Sequence, residues 1–192
     1  MANADTPFGL RPVRHRNGAP YNGAFRVYSV AAGDSTAIMV GDPVTAAGTA
    51  QTIGGVVYQD VVRSATGDVF QGVCVGVLPD TQDSLKYRAA STLRLIAVAD
   101  DPDLTFEIQE VSGGTPLAAN DIGLNANIVV ASGSTTTGQS GVELNNATEA
   151  TTNTLDVKIQ GFVNRVDNEI GEHAKWLVVF NRHRYANQVA GV

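Results

Sequence analysis

Three histidines, one cysteine and one tight run of carboxylates are the residues of this chain whose types could do chemistry: His15, His173, His183, Cys74, and Asp100, Asp101 and Asp103. Metal ligation by histidine calls for rings at paired spacing, and covalent catalysis calls for a nucleophile beside a base. Neither pattern occurs. His15 lies in a Pro/Gly-rich N-terminal stretch, His173 in Gly171-Glu172-His173, and His183 beyond the last apolar run. Cys74 sits in Val73-Cys74-Val75-Gly76-Val77 with no base nearby, which reads as a small buried hydrophobe, and a single cysteine cannot form an internal disulfide. The three aspartates offer oxygen ligands suited to calcium, but the segment lacks the glycine and terminal glutamate of a calcium loop. An acidic, proline-containing turn between two strands is the simpler reading. Gly54-Gly55 and Gly113-Gly114 open no helix and precede no phosphate-binding lysine, so they are turn glycines. A sugar-cleaving groove around Asp100, Asp103 and Glu107 would want aromatic platforms, and only Phe106 and Tyr87 lie near in sequence. The chain is therefore expected not to be an enzyme and to carry no cofactor or metal.

The surrounding elements follow from short Val/Ile/Leu/Phe runs broken by Gly, Asn, Asp, Ser and Thr. Strands are expected near residues 24–30, 37–44, 56–62, 69–78, 93–99, 104–111, 128–130, 155–163 and 175–181. Pro116 to Asn120 is the one stretch suited to a helical turn. With 192 residues, 43% of them hydrophobic, one domain can bury its own core. The expected fold is all-β: a single antiparallel β-sandwich or jelly-roll-like β-barrel over residues 25–192, preceded by an extended irregular N-terminal arm, residues 1–24. Trp176, the only tryptophan, heads the run Leu177-Val178-Val179-Phe180 and is expected in the core. The Ser/Thr/Gly tract 131–141 and the Asn/Thr-rich 145–153 read as long surface loops, and Asn146-Ala147-Thr148 as a chance match to a glycosylation acceptor. No apolar run approaches the roughly 20 residues that span a bilayer, and no export signal is apparent, so a soluble chain is expected.

The arm is distinctive. Three prolines and three glycines between Asp5 and Gly23 impose an irregular path, while Phe8, Leu10, Val13 and Tyr21 are interleaved with arginines. Solvated tails are poor in such apolar residues, so this one is expected to lie on another surface. Arg11, Arg14, Arg16 and Arg26 against Asp5 give residues 1–30 a charge of +3, Arg182 and Arg184 give residues 181–192 a charge of +2, and the 150 residues between carry −11 of a net −6. Basic ends on an acidic body argue against nucleic acid and for an acidic protein partner.

Read as phrases, Thr6-Pro7-Phe8-Gly9-Leu10-Arg11-Pro12-Val13-Arg14, Asn17-Gly18-Ala19-Pro20-Tyr21-Asn22-Gly23, Val40-Gly41-Asp42-Pro43-Val44, Asp100-Asp101-Pro102-Asp103, and Asp167-Asn168-Glu169-Ile170-Gly171 before Ala174-Lys175-Trp176-Leu177-Val178 resemble tailed-bacteriophage virion structural proteins, in particular capsid decoration (cement) proteins. The resemblance implies a β-rich subunit, made in the host cytoplasm, that binds the exterior of an icosahedral head and clamps neighbouring capsomers. Its implied partner is the major capsid protein, and it implies a homo-oligomer, a trimer or else a dimer. A head-fibre base, tail part or minor capsid component is the alternative. About twenty extended residues reach roughly 60 Å, enough to cross from one subunit to another. On this expectation Phe8, Leu10 and Tyr21 are apolar capsid anchors, and Arg11, Arg14 and Arg16 pair with capsid carboxylates.

Overall fold

Short runs of β-branched residues, closed by glycine and Asx turns, give twelve strands in the computed structural model, which describes residues 3–186. In chain order they are β1 (Arg11–His15), β2 (Arg26–Val30), β3 (Pro43–Ile53), β4 (Val56–Arg63), β5 (Gly72–Val77) and β6 (Arg94–Ala99). There follow β7 (Leu104–Gln109), β8 (Asn125–Ala126), β9 (Ile128–Ala131), β10 (Gly141–Leu144), β11 (Val157–Phe162) and β12 (Lys175–Phe180). The helical turn expected after Pro116 is a single 3-10 turn, Ala119–Asp121. The protein is thus all-β, with antiparallel sheets packed against one another.

Strands β2, β4, β3, β5 and β6 close into a small barrel in that order. Every pairing in it is antiparallel except β2 with β4, which meet in parallel at Ser29 and Asp60. Burial would push the Asp60 carboxyl up, but hydrogen bonds from Ser29 Oγ (2.6 Å), Gln51 Nε2 (2.6 Å) and Thr49 Oγ1 (2.7 Å) hold it below the usual range and pin that closure. Tyr28, Val30, Ile38, Val44, Val61, Cys74, Ile96 and Val98 fill the interior. Cys74 is fully buried, and burial pushes its thiol up to about 12, as expected of an inert core residue.

The second layer is a five-stranded sheet, β1-β7-β12-β11-β8, flanked by the β9–β10 hairpin. Its core runs between this sheet and the barrel wall, because Val73 and Ala99 of the barrel share one cluster with Phe106, Ile108, Trp176, Val178 and Phe180. Phe70 stacks on Phe180 at 4.3 Å and Phe106 tilts against it at 5.0 Å. Trp176 is fully buried, as expected, and its indole N–H donates to Glu110 Oε2 at 2.7 Å.

The N-terminal stretch, expected as an extended irregular arm, is in part a regular strand of the chain's own sheet. Its middle is strand β1, paired along β7 from Arg11↔Glu107 to His15↔Leu104, and Leu10 is only 1% exposed within the main core. The alternation that marks a strand was hidden by Pro12 and by a bulge between Pro12 and Arg14. At Gly9 (φ +73°) the chain crosses Gly41 (φ +96°), and the Leu10 N–H donates to the Gly41 carbonyl at 2.9 Å. A Cβ on Gly9 would overlap that carbonyl, and one on Gly41 would overlap the Phe8 carbonyl. Two phrases far apart in sequence are therefore halves of one joint.

Candidate functional site

Side chains alternate across a strand, so residues directly paired between strands share a face. Opposite the core, the five-stranded sheet presents Arg11 level with Glu107 and Leu177, Arg14 level with Thr105, Lys175 level with Gln109, and Lys158 level with Val179. Arg165, from the loop after β11, reaches back over this face. Its guanidinium contacts the nearly buried Glu107 carboxylate at 2.9 and 3.2 Å and Asp167 at 3.1 Å. Five cations thus stand against Glu107 and Asp167 on one face of a chain whose net charge is −6. The sign reverses beyond Gln109, where Asp5 and Glu143 lie.

Two clefts open on this face. One of about 760 Å³ is lined by Phe8, Arg11, Glu107, Arg165 and Lys175 on one side and by the Ser132–Gly141 tract on the other. A second of about 650 Å³ is lined by Arg14, Phe162, Leu177, Ile122 and Ile170. Ile122, Ile170 and Val166 are exposed beside the cations, so the surface combines apolar and positively charged groups.

The six residues expected to bind a partner divide. Phe8, half-buried, lies under the Arg11 guanidinium at 4.4 Å, and Arg11 and Arg14 are exposed on the face just described. Leu10 belongs to the core of its own chain and cannot anchor another protein while β1 is in place. Tyr21 is turned inward against the same core and donates its hydroxyl to the Ala24 carbonyl at 2.9 Å. Arg16 reaches toward Asp103 at 3.8 Å, its backbone N–H donating to the Asp103 carbonyl at 2.8 Å.

The acidic turn expected at 100–103 is what receives these basic residues: His15 meets Asp101 at 3.2 Å and Arg26 meets Asp100 at 3.5 Å. Asp100 also accepts from the buried Tyr28 hydroxyl at 2.7 Å, so it is a structural acceptor. His183 is 1% exposed, and burial pushes its imidazole down to about 4.

Sequence reasoning missed Lys158, Arg165 and Lys175. The two lysines were legible as the polar members of alternating strands, whereas Arg165 is placed by a loop. That loop is set by Asn168, whose amide donates to the Val163 and Lys175 carbonyls at 2.8 and 3.0 Å and accepts from the Lys175 N–H at 2.8 Å. The Ser/Thr tract is, as expected, a surface loop, exposed from Ser134 to Thr137, and it also forms a wall of the larger cleft. Ser140 is buried and donates to Asp42 at 2.6 Å. Asn146 is 2% exposed with its amide spent on the Val111 and Gly113 carbonyls, so it serves the fold, in keeping with a chance acceptor match. Among the described residues no helix is long and apolar enough to cross a membrane. No protein-family model, curated protein or solved structure matches the chain.

Proposed function

We propose that this chain is a capsid decoration (cement) protein of a tailed bacteriophage, which binds the outer surface of the icosahedral head and bridges neighbouring copies of the major capsid protein. The observation that carries the reading is the cationic sheet face, Arg11, Arg14, Lys158, Arg165 and Lys175, on an otherwise acidic chain. Such a face suits a carboxylate-rich protein surface, with arginine offering two-pronged contacts and Ile122, Val166 and Ile170 supplying apolar area. The phrases that resemble those of virion structural proteins point to the partner. Repetition on a closed lattice lets each contact be modest, since avidity multiplies it, and a homotrimer, or else a dimer, fits lattice symmetry.

The test is co-sedimentation of the purified chain with empty mature heads stripped of it. Saturation at a simple ratio to the capsid subunit is expected, with binding weakened at least tenfold by Arg11→Ala combined with Arg14→Ala. No binding, or only a handful of copies per head, sinks the reading and moves the protein to a tail, vertex or fibre-base role.

A further inference from the structure

Where the cationic face ends, four chain segments bring a different set of groups together. Asp5 precedes β1, Gln109 ends β7, Glu143 lies on β10, and His173 stands in the turn leading to β12. The ligand atoms of Asp5, Glu143 and His173 all lie within 4.8 Å of one another, and His173 Nδ1 is 3.6 Å from Asp5 Oδ1. Asp5 is not placed by chance. The Asn3 amide donates to the carbonyls of Glu169 and Glu172 at 2.8 and 2.9 Å, and the Glu169 N–H donates back at 3.0 Å, which docks this segment on the turn that carries His173.

The cluster is short of positive charge. Among the described residues neither Asp5 nor Glu143 has an ion pair with a lysine or arginine. The fully buried Gln109 instead directs its side-chain nitrogen at Asp5 Oδ1 (3.3 Å), Glu143 Oε1 (3.4 Å) and His173 Nδ1 (3.2 Å). An amide nitrogen carries two protons, so with His173 Nδ1 unprotonated, the form a metal ligand requires, three acceptors at long distances share two donors. Two carboxylates and an imidazole facing one under-supplied centre is the arrangement that a divalent cation completes.

We propose that Asp5, Glu143 and His173 form a divalent transition-metal site, best suited to zinc, that fastens the N-terminal segment to the sheet. Tetrahedral zinc with bonds of about 2.0–2.1 Å sets its ligand atoms roughly 3.3 Å apart. The Asp5–His173 pair is already near that separation, and a contraction of up to about 1.5 Å brings in the widest. Rotation of the Gln109 amide by half a turn would present its carbonyl oxygen as a fourth ligand, releasing the weak 3.3 Å hydrogen bond that this oxygen accepts from the Thr6 N–H. The imidazole selects zinc over magnesium and calcium, which prefer an all-oxygen shell. The proposal stands apart from the capsid reading, because it concerns how this chain holds its own residues 3–10.

The experiment is calorimetric titration of EDTA-stripped, full-length protein with zinc, together with hydrogen exchange over residues 4–10 with and without the metal. One zinc per chain is expected, with slowed exchange at Leu10, whose N–H is bound to the Gly41 carbonyl, and much weaker binding of magnesium. His173→Asn keeps a residue tolerant of the left-handed φ of +60° found there, and Glu143→Gln keeps shape without charge. Each should lower zinc affinity at least tenfold while melting in EDTA as cooperatively as the wild type. Zinc bound equally well by both variants, no stoichiometric binding by the wild type, or binding without protection of residues 4–10 would overturn the site.

Discussion

Replacing Glu110 by glutamine should stabilise the protein at neutral pH and leave it nearly unchanged in acid. Glu110 is fully buried beneath the Trp176 indole, and burial pushes its carboxyl from 4.5 up to about 7, against the opposing pull of the Trp176 N–H. Between those values the unfolded chain has released a proton that the folded chain still holds. The stability contributed by the protonated group is therefore complete below pH 4.5 and is lost as pH rises to about 7. At about 1.4 kcal/mol per pH unit the loss reaches roughly 3 kcal/mol. Glutamine has no proton to lose, keeps an oxygen for the indole N–H, and escapes this penalty. Urea unfolding of both proteins at pH 5 and pH 8 should show the variant gaining some 2–3 kcal/mol on the wild type between the two, or about 5–10 °C in melting temperature for a chain of this size. A stability difference that is the same at pH 5 and pH 8 would refute the argument.

His183 works in the opposite sense. Its imidazole is lowered from 6.5 to about 4, so its contribution is present above pH 6.5 and is lost as pH falls toward 4, roughly 3 kcal/mol in all. In the wild type the two groups nearly cancel between pH 4.5 and 6.5. The Glu110→Gln variant should therefore lose stability on acidification through that window, and adding His183→Gln should flatten the profile, as read by melts at half-unit intervals. Gly9→Ala combines a left-handed φ with overlap on the Gly41 carbonyl, and a cost of roughly 2–4 kcal/mol is expected in urea melts. Trp176→Ala should unfold or aggregate the chain, given the 3–5 kcal/mol or so typical of such a cavity and the loss of Glu110's partner. A soluble, normally folded Trp176→Ala protein that fails only in capsid binding would show the residue to be an interface anchor instead.

The parts of the fold legible in the sequence are those where one local rule decides. Strands such as Arg94–Ala99 and Lys175–Phe180 are apolar runs bounded by turn chemistry, and they stand within a residue or so of their expected limits. Elements that depend on distant partners were not legible. β1 carries a proline and a bulge, β8 is two residues long, and β10 follows the low-complexity tract directly. Ala47-Gly48-Thr49 reads as a turn but lies within β3, where the irregular register between Ala46 and Ala50 absorbs it. The phrases that carry the phage resemblance prove to be joints: Gly9 against Gly41, the 100–103 turn against His15, Arg16 and Arg26, and Asn168 bracing the approach to β12. Their residue types answer to packing at those joints, which explains why they speak to the fold more directly than to a binding role.

The positive charge of the first thirty residues, which in the sequence looks like one patch, is partitioned by the fold. Arg16 and Arg26 turn to the aspartates at 100–103, while Arg11 and Arg14 stand on the sheet face with Lys158, Arg165 and Lys175. The two sets should behave differently in binding. Arg16→Ala removes an exposed ion pair worth at most about 1 kcal/mol to the fold and should leave head binding near wild type. Arg11→Glu with Arg14→Glu puts two negative charges on the face offered to an acidic partner, so binding to stripped heads should fall by well over tenfold at low salt. Raising salt should weaken the wild type and narrow the gap between the two proteins, because charges exposed to solvent are screened over about 8 Å at physiological ionic strength. Equal losses from the Arg16 and the Arg11/Arg14 substitutions would mean that the arm binds as an undivided basic segment, and the cationic face would lose its claim to be the docking surface.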